Sequence, residues 1–237
     1  MNRDLVKILG YGTDSFNEEE ALDYIFNTHG QVVTINPEMI SEALKNPGLT
    51  KIINNAELVI PDGIGIQIGL KILGHDIKRI AGIDFGKKLT EKFSNEGKTV
   101  AFIGAKPKVA EIAVQKLKEE ISNLNVVYVH DGYFSDEKTV IEEIIKLKPD
   151  LILVALGSPK QEFFIYSLKK ELPNAVMIGL GGSFDVWSGQ VERAPEIWRN
   201  LYLEWLYRAI KNPERFKRIF PAIPVFLWRV LKERFIK

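Results

Sequence analysis

An α/β fold is what this sequence predicts: a mostly parallel, Rossmann-like sheet with helices on both faces, plus a basic helical C-terminal appendage. Three observations predict it. Short apolar runs alternate with helical patterns up to about residue 190, glycine-rich turns follow most of those runs, and beyond Arg193–Pro195 the composition turns basic and aromatic. The candidate strands are Leu5–Leu9, Gln31–Ile35, Glu57–Ile60, Thr99–Ile103, Val126–Val129, Leu151–Leu156 and Ala175–Leu180. Most are apolar on both faces, as strands covered by helices on two sides must be.

The clearest helix runs from about Pro107 to Ile121. There Val109, Ile112, Ala113, Leu117 and Ile121 recur on one face, with lysines and glutamates on the other. It lies between two candidate strands, so the three elements form a βαβ unit. Asn36-Pro37 closes an earlier strand and opens a helix over Glu38–Lys45, with Asn36 as N-cap and Pro37 at the first helical position. The turns at Asp62-Gly63, Gly104, Asp131-Gly132, Gly157-Ser158 and Gly181-Gly182 all follow strands. That is the edge at which open α/β sheets bind their ligands.

Composition narrows the function classes. A chain of 237 residues with 46% hydrophobic content can bury a core, and it divides into an α/β domain over residues 1–194 and an appendage over 195–237. It has no cysteine, which excludes disulfides, thiolate metal sites and a thiol nucleophile and suits a reducing cytoplasm. His29, His75 and His130 are too dispersed for a zinc site. No Asp-x-Asp pair is present to clamp a divalent ion against a nucleotide-sugar diphosphate, so metal-independent chemistry without a cofactor is expected. Met1–Gly10 carries charges within a short apolar run and does not read as a signal peptide. No apolar stretch approaches the roughly 20 residues of a spanning helix, so a soluble or peripheral protein is expected.

Charge is unevenly placed. From Leu206 to Lys237 nine basic residues stand against Glu214 and Glu233, a net of +7; the whole chain carries +1, which leaves −6 for the remainder. From Trp205 onward, basic residues alternate with Trp205, Tyr207, Phe216, Phe220, Phe226, Trp228 and Phe235, a pattern suited to an anionic headgroup interface. An ordinary packing helix with a solvated basic face is the other reading. Pro221 and Pro224 are expected to break this segment into two short helices.

Several residues at strand ends carry chemistry. Asp62 follows a strand and precedes Gly63, which places a carboxylate at the cleft edge or, equally, makes it a helix N-cap. Gly181-Gly182-Ser183-Phe184-Asp185 lets backbone amides approach a phosphate, or forms a tight turn. Gly157-Ser158-Pro159-Lys160-Gln161-Glu162 opens a helix whose free amides suit an anion; Gln161 is placed to bond a sugar or uracil edge, or is a solvated first-turn residue. Gly63-x-Gly65 with Gly69 has the wrong spacing for a dinucleotide fingerprint. A nicotinamide-dependent oxidoreductase, a non-catalytic membrane adaptor and a nucleic-acid binder remain as alternatives, the last disfavoured by the acidic body.

In their order along the chain, these segments resemble the TagA/WecG/CpsF family of bacterial glycosyltransferases, from about Val32 to Arg218. The residues that carry the resemblance are Thr34-Ile35-Asn36-Pro37-Glu38, Ile60–Gly65, Leu73-Gly74 with Arg79–Asp84, and Asp131–Phe134. Further on come Gly157–Glu162, Gly181–Asp185, Arg193-Ala194-Pro195 and Leu203–Arg208. The chain departs at Asn200-Leu201-Tyr202, where many relatives carry a glycine.

The resemblance implies transfer of N-acetylmannosamine from UDP-N-acetylmannosamine to undecaprenyl-diphosphate-linked N-acetylglucosamine, in wall teichoic acid linkage synthesis at the inner face of the cell membrane. Related members use the corresponding uronic acid sugar. It implies Asp62 as general base with Thr34 and Asn36 beside it, and Arg79 and Gln161 lining the pocket; the strand-end turns at Gly104 and at Gly181-Gly182 with Asp185 are read from the sequence as further substrate contacts. Arg208, Arg215 and Arg218 would engage the lipid diphosphate. The implied partners are the UDP-amino sugar, the polyprenyl-linked acceptor and an anionic membrane surface, with homo-oligomerisation left open.

Overall fold

The computed structural model describes residues 3–200, 204–211 and 213–236; beyond residue 195 it describes the side chains of 196–198, 204, 206, 207, 210 and 222–235. The chain opens with β1 (Leu5–Ile8) and β2 (Tyr11–Asp14), then α1 (Glu18–Thr28) and β3 (Gly30–Ile35). Next come α2 (Pro37–Ala43), α3 (Pro47–Asn54), β4 (Leu58–Pro61), α4 (Ile64–Ile72) and α5 (Gly82–Asn95). The second half holds β5 (Thr99–Gly104), α6 (Val109–Glu120), β6 (Asn125–His130), α7 (Glu137–Leu147), β7 (Leu151–Ala155), α8 (Lys160–Lys169) and β8 (Val176–Gly179). It ends with α9 (Ser183–Trp187), α10 (Glu196–Asn200), α11 (Glu204–Lys211) and α12 (Pro213–Ile236).

Six strands form one sheet in the order β4-β3-β8-β7-β5-β6, and every pair in it is parallel. Alternate residues of each strand feed opposite faces. Val32, Ile60, Phe102, Leu153 and Ile178 pack against α1, α5, α6 and α9 through Ile25, Phe85, Leu89, Ala113 and Phe184. On the other face, Val33, Ile35 and Val59 meet α2, α3, α4 and α12, while Ile103, Val154 and Met177 meet α7 and α8. Each fully buried large apolar side chain contributes about 1.5–3 kcal/mol, so burial on both faces explains why these strands read as continuous apolar runs.

The candidate strand at Leu5–Leu9 forms, but outside the sheet. It pairs antiparallel with β2 through a turn in which Leu9 and Gly10 both take positive φ, as two-residue hairpins require. Its burial alternates because only one face meets protein. Asp14, 1% exposed, holds the hairpin in place: its carboxylate receives Arg3 Nε at 2.7 Å and the Val59 amide at 2.7 Å. The second contact occupies an outward-facing donor of edge strand β4.

The expected break at Pro221 and Pro224 does not occur, for α12 runs continuously through both. Each proline removes only its own amide bond, and flanking residues carry the helix on. Past the prolines, Phe226 and Val230 enter the core, and Glu233 accepts the Leu9 amide at 2.9 Å. These inner positions fall at helical spacing, which turns Val225, Trp228, Leu231 and Phe235 outward, 41–79% exposed.

Candidate active site

Chain direction creates a crevice at the carboxyl ends of two neighbouring strands. After β3 the chain passes to α2 on one face of the sheet, whereas after β8 it passes to α9 on the other. Connections that part in this way leave a gap between them, the switch point of a doubly wound sheet.

Thr34, 8% exposed, stands near the end of β3, and its hydroxyl donates to the Gly179 carbonyl of β8 at 3.4 Å. Asn36 caps α2, its side-chain oxygen accepting the Met39 amide at 2.9 Å, with Pro37 in the first turn. Asp62 follows β4, and its amide donates to the Ile35 carbonyl at 2.8 Å, which ties it to the neighbouring strand. The first turn of α5 closes over this corner. A Cβ on Gly82 would lie 3.0 Å from Thr34 Cγ2 and 3.4 Å from Asp62 Oδ2, so Thr34 and Asp62 converge on one point.

Across the crevice lies the turn after β8. Gly181 has φ +51°, and Gly182 precedes the first turn of α9. Asp185 leans back over it, with Oδ2 3.5 Å from where a Gly182 Cβ would sit. Gln161 fixes the turn from below: its Oε1 accepts the Gly181 amide at 2.9 Å and its Nε2 donates to Glu162 Oε1 at 2.8 Å. It is 3% exposed, so it is not a solvated first-turn residue. The signal was present in the sequence, because Gln161 lies on the stripe of Phe164, Ile165 and Leu168, at i, i+3, i+4 and i+7. Glu162, 2% exposed, was not singled out. Burial pushes its carboxyl above the usual range against the pull of hydrogen bonds from Gln161 and Ser158.

Gly104 ends β5 on the same sheet edge, two strands from β8. Its φ is +122°, and a Cβ there would lie 2.4 Å from the Ala155 carbonyl oxygen, so no other residue fits. Arg79 is half-buried on the approach to α5, its amide donating to Gln67 Oε1 at 3.1 Å. Arg208 lies on α11 and Arg215 and Arg218 on α12, with side chains outside the described residues, as are Leu201–Leu203. The glycines of the imperfect fingerprint serve packing. A Cβ on Gly65 would meet the Pro37 ring at 2.6 Å, and one on Gly69 would meet Ile8 and Phe226.

Sequence reasoning also passed over an ion-pair group beside the crevice. Arg193 Nη2 donates to Asp84 Oδ2 at 2.6 Å, and its Nε lies 3.9 Å from Glu204 Oε1. Burial works against the guanidinium's charge, but its hydrogen bond and attraction to Asp84 outweigh this and raise its pKa. Among the described residues no group of three or more acidic or imidazole side chains converges as metal ligands. Surface cavities of about 460 and 200 Å³ lie elsewhere, one against Leu9, Trp228 and Lys232, the other against His29, Lys98 and Asp150.

This is a doubly wound α/β protein, with a carboxylate and glycine-rich turns at the strand ends where such open sheets hold their ligands. The family model described as "Glycosyl transferase WecG/TagA/CpsF family" matches residues 6–237, and the chain belongs to that family of glycosyltransferases. It is 40% identical over 202 residues (85% of this chain, 78% of the relative) to a Bacillus spizizenii protein named N-acetylglucosaminyldiphosphoundecaprenol N-acetyl-beta-D-mannosaminyltransferase. A Bacillus subtilis protein of the same name is 40% identical over 212 residues, 89% of this chain and 82% of the relative.

Proposed function

We propose that this chain moves N-acetylmannosamine from UDP-N-acetylmannosamine to undecaprenyl-diphosphate-linked N-acetylglucosamine, the transfer that supplies the wall teichoic acid linkage unit. The observation that carries the reading is the position of Asp62 beside Thr34, across the crevice from the Gly181-Gly182 turn. Asp62 takes the proton from an acceptor hydroxyl as that oxygen bonds the anomeric carbon. The bond from that carbon to the UDP β-phosphate oxygen breaks, its electron pair leaves with UDP, and the configuration inverts. The beta linkage in the relatives' name is what inversion of an alpha-linked donor produces. Charge on the departing diphosphate is met by amides near Gly104 and Gly181-Gly182 and by a tail arginine, with Asn36, Arg79 and Asp185 lining the donor.

Residues 1–194 form the catalytic unit in this reading, and residues 195–237 an appendage that rests on anionic membrane at the cytoplasmic face. No described helix is long and apolar enough to cross a membrane. Supporting attachment at the surface, Trp228, Leu231 and Phe235 are exposed on the outer face of α12, in sequence with Arg229, Lys232 and Arg234. Replacing Trp228 and Phe235 by Glu should abolish flotation with phosphatidylglycerol vesicles without unfolding the sheet.

The decisive test of the chemistry is Asp62→Asn. A positioned base contributes about 10²–10⁴-fold, so turnover should fall by that factor while UDP affinity is kept; near-normal turnover would remove Asp62 from the role. Turnover should also survive EDTA, and a loss restored by magnesium would overturn the metal-free account.

A further inference from the structure

Arg193 stands where the α/β body gives way to the C-terminal helices, and it touches both. Asp84, its 2.6 Å partner, belongs to the first turn of α5, the turn whose Gly82 leaves room for Thr34 and Asp62 beside it. Glu204, its 3.9 Å partner, is the first residue of α11 and is only 7% exposed. A single planar fork thus spans two acidic groups that lie 120 residues apart in sequence (84 and 204).

The two contacts are unequal. The one to Asp84 is a full charge-assisted hydrogen bond, whereas 3.9 Å exceeds the 2.7–3.2 Å of an N–H···O bond. Arg193 Nε is buried and makes no hydrogen bond. A buried cationic donor left unmade is costly, so a shift of about 1 Å that brings α11 toward the body relieves it by completing the bond to Glu204. Two further contacts join α11 to the segment that precedes it: Tyr207 donates to Glu192 at 3.3 Å, and the Trp198 and Tyr207 rings lie 5.6 Å apart.

We propose that Arg193 is a positioning residue that fastens α11, through Glu204, to the first turn of α5, through Asp84, and so sets the C-terminal helices against Asp62 for transfer. This rests on the reading of Asp62 as the site of glycosyl transfer. A lysine cannot replace it, because one ammonium cannot span both carboxylates in the fixed geometry of a guanidinium.

The test uses the full chain with Arg193→Gln, Arg193→Lys, Asp84→Asn and Glu204→Gln. Arg193→Gln, Arg193→Lys and Asp84→Asn should each lower kcat by about tenfold, as loss of one charge-assisted hydrogen bond implies; Glu204→Gln should lower it less. UDP affinity and the donor KM should be unchanged, and amides of residues 204–211 should exchange faster. In an Arg193→Gln background, neither Asp84→Asn nor Glu204→Gln should lower kcat further, because the link is already cut.

Wild-type kcat in Arg193→Gln, additive losses in the combined variants, or a loss confined to UDP binding would overturn the proposal. If Arg193→Gln fails to fold, Asp84→Asn with and without Glu204→Gln decides the same question. A wild-type chain that transfers no sugar refutes the reading of the site instead, and unchanged exchange over 204–211 in the variants then refutes the link on its own.

Discussion

The crevice at the sheet edge and the segment from Arg193 to Lys211 are held by different forces. Asp62, Thr34, Gln161 and Gly181 are tied by main-chain bonds or buried contacts to neighbouring strands, and glycines at 82 and 104 admit no added atom without a clash or tight contact. In the segment, Ala194 and Glu204 are buried, and its described side-chain contacts include the Arg193 ion pairs, Tyr207 to Glu192 and the Trp198–Tyr207 ring pair; α12 then joins the core at Phe226 and Val230. The contrast is between a corner fixed by main-chain bonds and close glycine contacts and a segment joined to the body through side chains, with the charged fork of Arg193 foremost among those described.

The largest effect that would break this contrast comes from α12. Phe226→Ala removes a fully buried ring and should cost about 3–5 kcal/mol. Hydrogen exchange should then rise along α12, α2 and α4 while β5 and β7 stay protected; uniform acceleration would mean that the two regions are one cooperative unit. Gly104→Ala comes next. Its φ of +122° and the collision with the Ala155 carbonyl should cost about 1–3 kcal/mol, read as a lower Tm with reduced UDP affinity.

Asn36→Ala should cost about 1 kcal/mol through loss of the α2 cap, whereas Asn36→Asp keeps the cap. Comparing the two by denaturation and by donor KM separates the capping role from sugar contact. The smallest effect concerns Glu162. Its carboxyl pKa is raised in the fold, so the folded state holds a proton that the unfolded chain releases. The resulting stability is present below the unfolded pKa and declines as pH rises toward the folded one. Glu162→Gln should flatten that decline, and urea midpoints measured from pH 4 to 8 would show it.

The sheet was legible because burial on both faces writes strands as apolar runs, and the helices between them carry a 3.6-residue stripe. β2 was not, since Tyr11-Gly12-Thr13-Asp14 has little apolar signal and exists by pairing with β1 and by Asp14's reach to β4. Strand order is equally invisible to local pattern, for it depends on which faces the connections cross. At the site, Asp62 and the glycine turns stood out by their place after strands. Asp84 and Arg193 meet across 109 residues, and only the folded chain brings them together. Gln161 was noticed for its position in a motif, while its burial, readable from the helical stripe, went unread.

The bond from the Leu9 amide to Glu233 gives the molecule a buckle. Hairpin and final helix, drawn from opposite ends of the polypeptide, close on one another there. A donor and an acceptor dye attached at those two places would begin within touching range, and the signal between them would act as a ruler of whether the two ends stay fastened when a polyprenyl-linked acceptor is added.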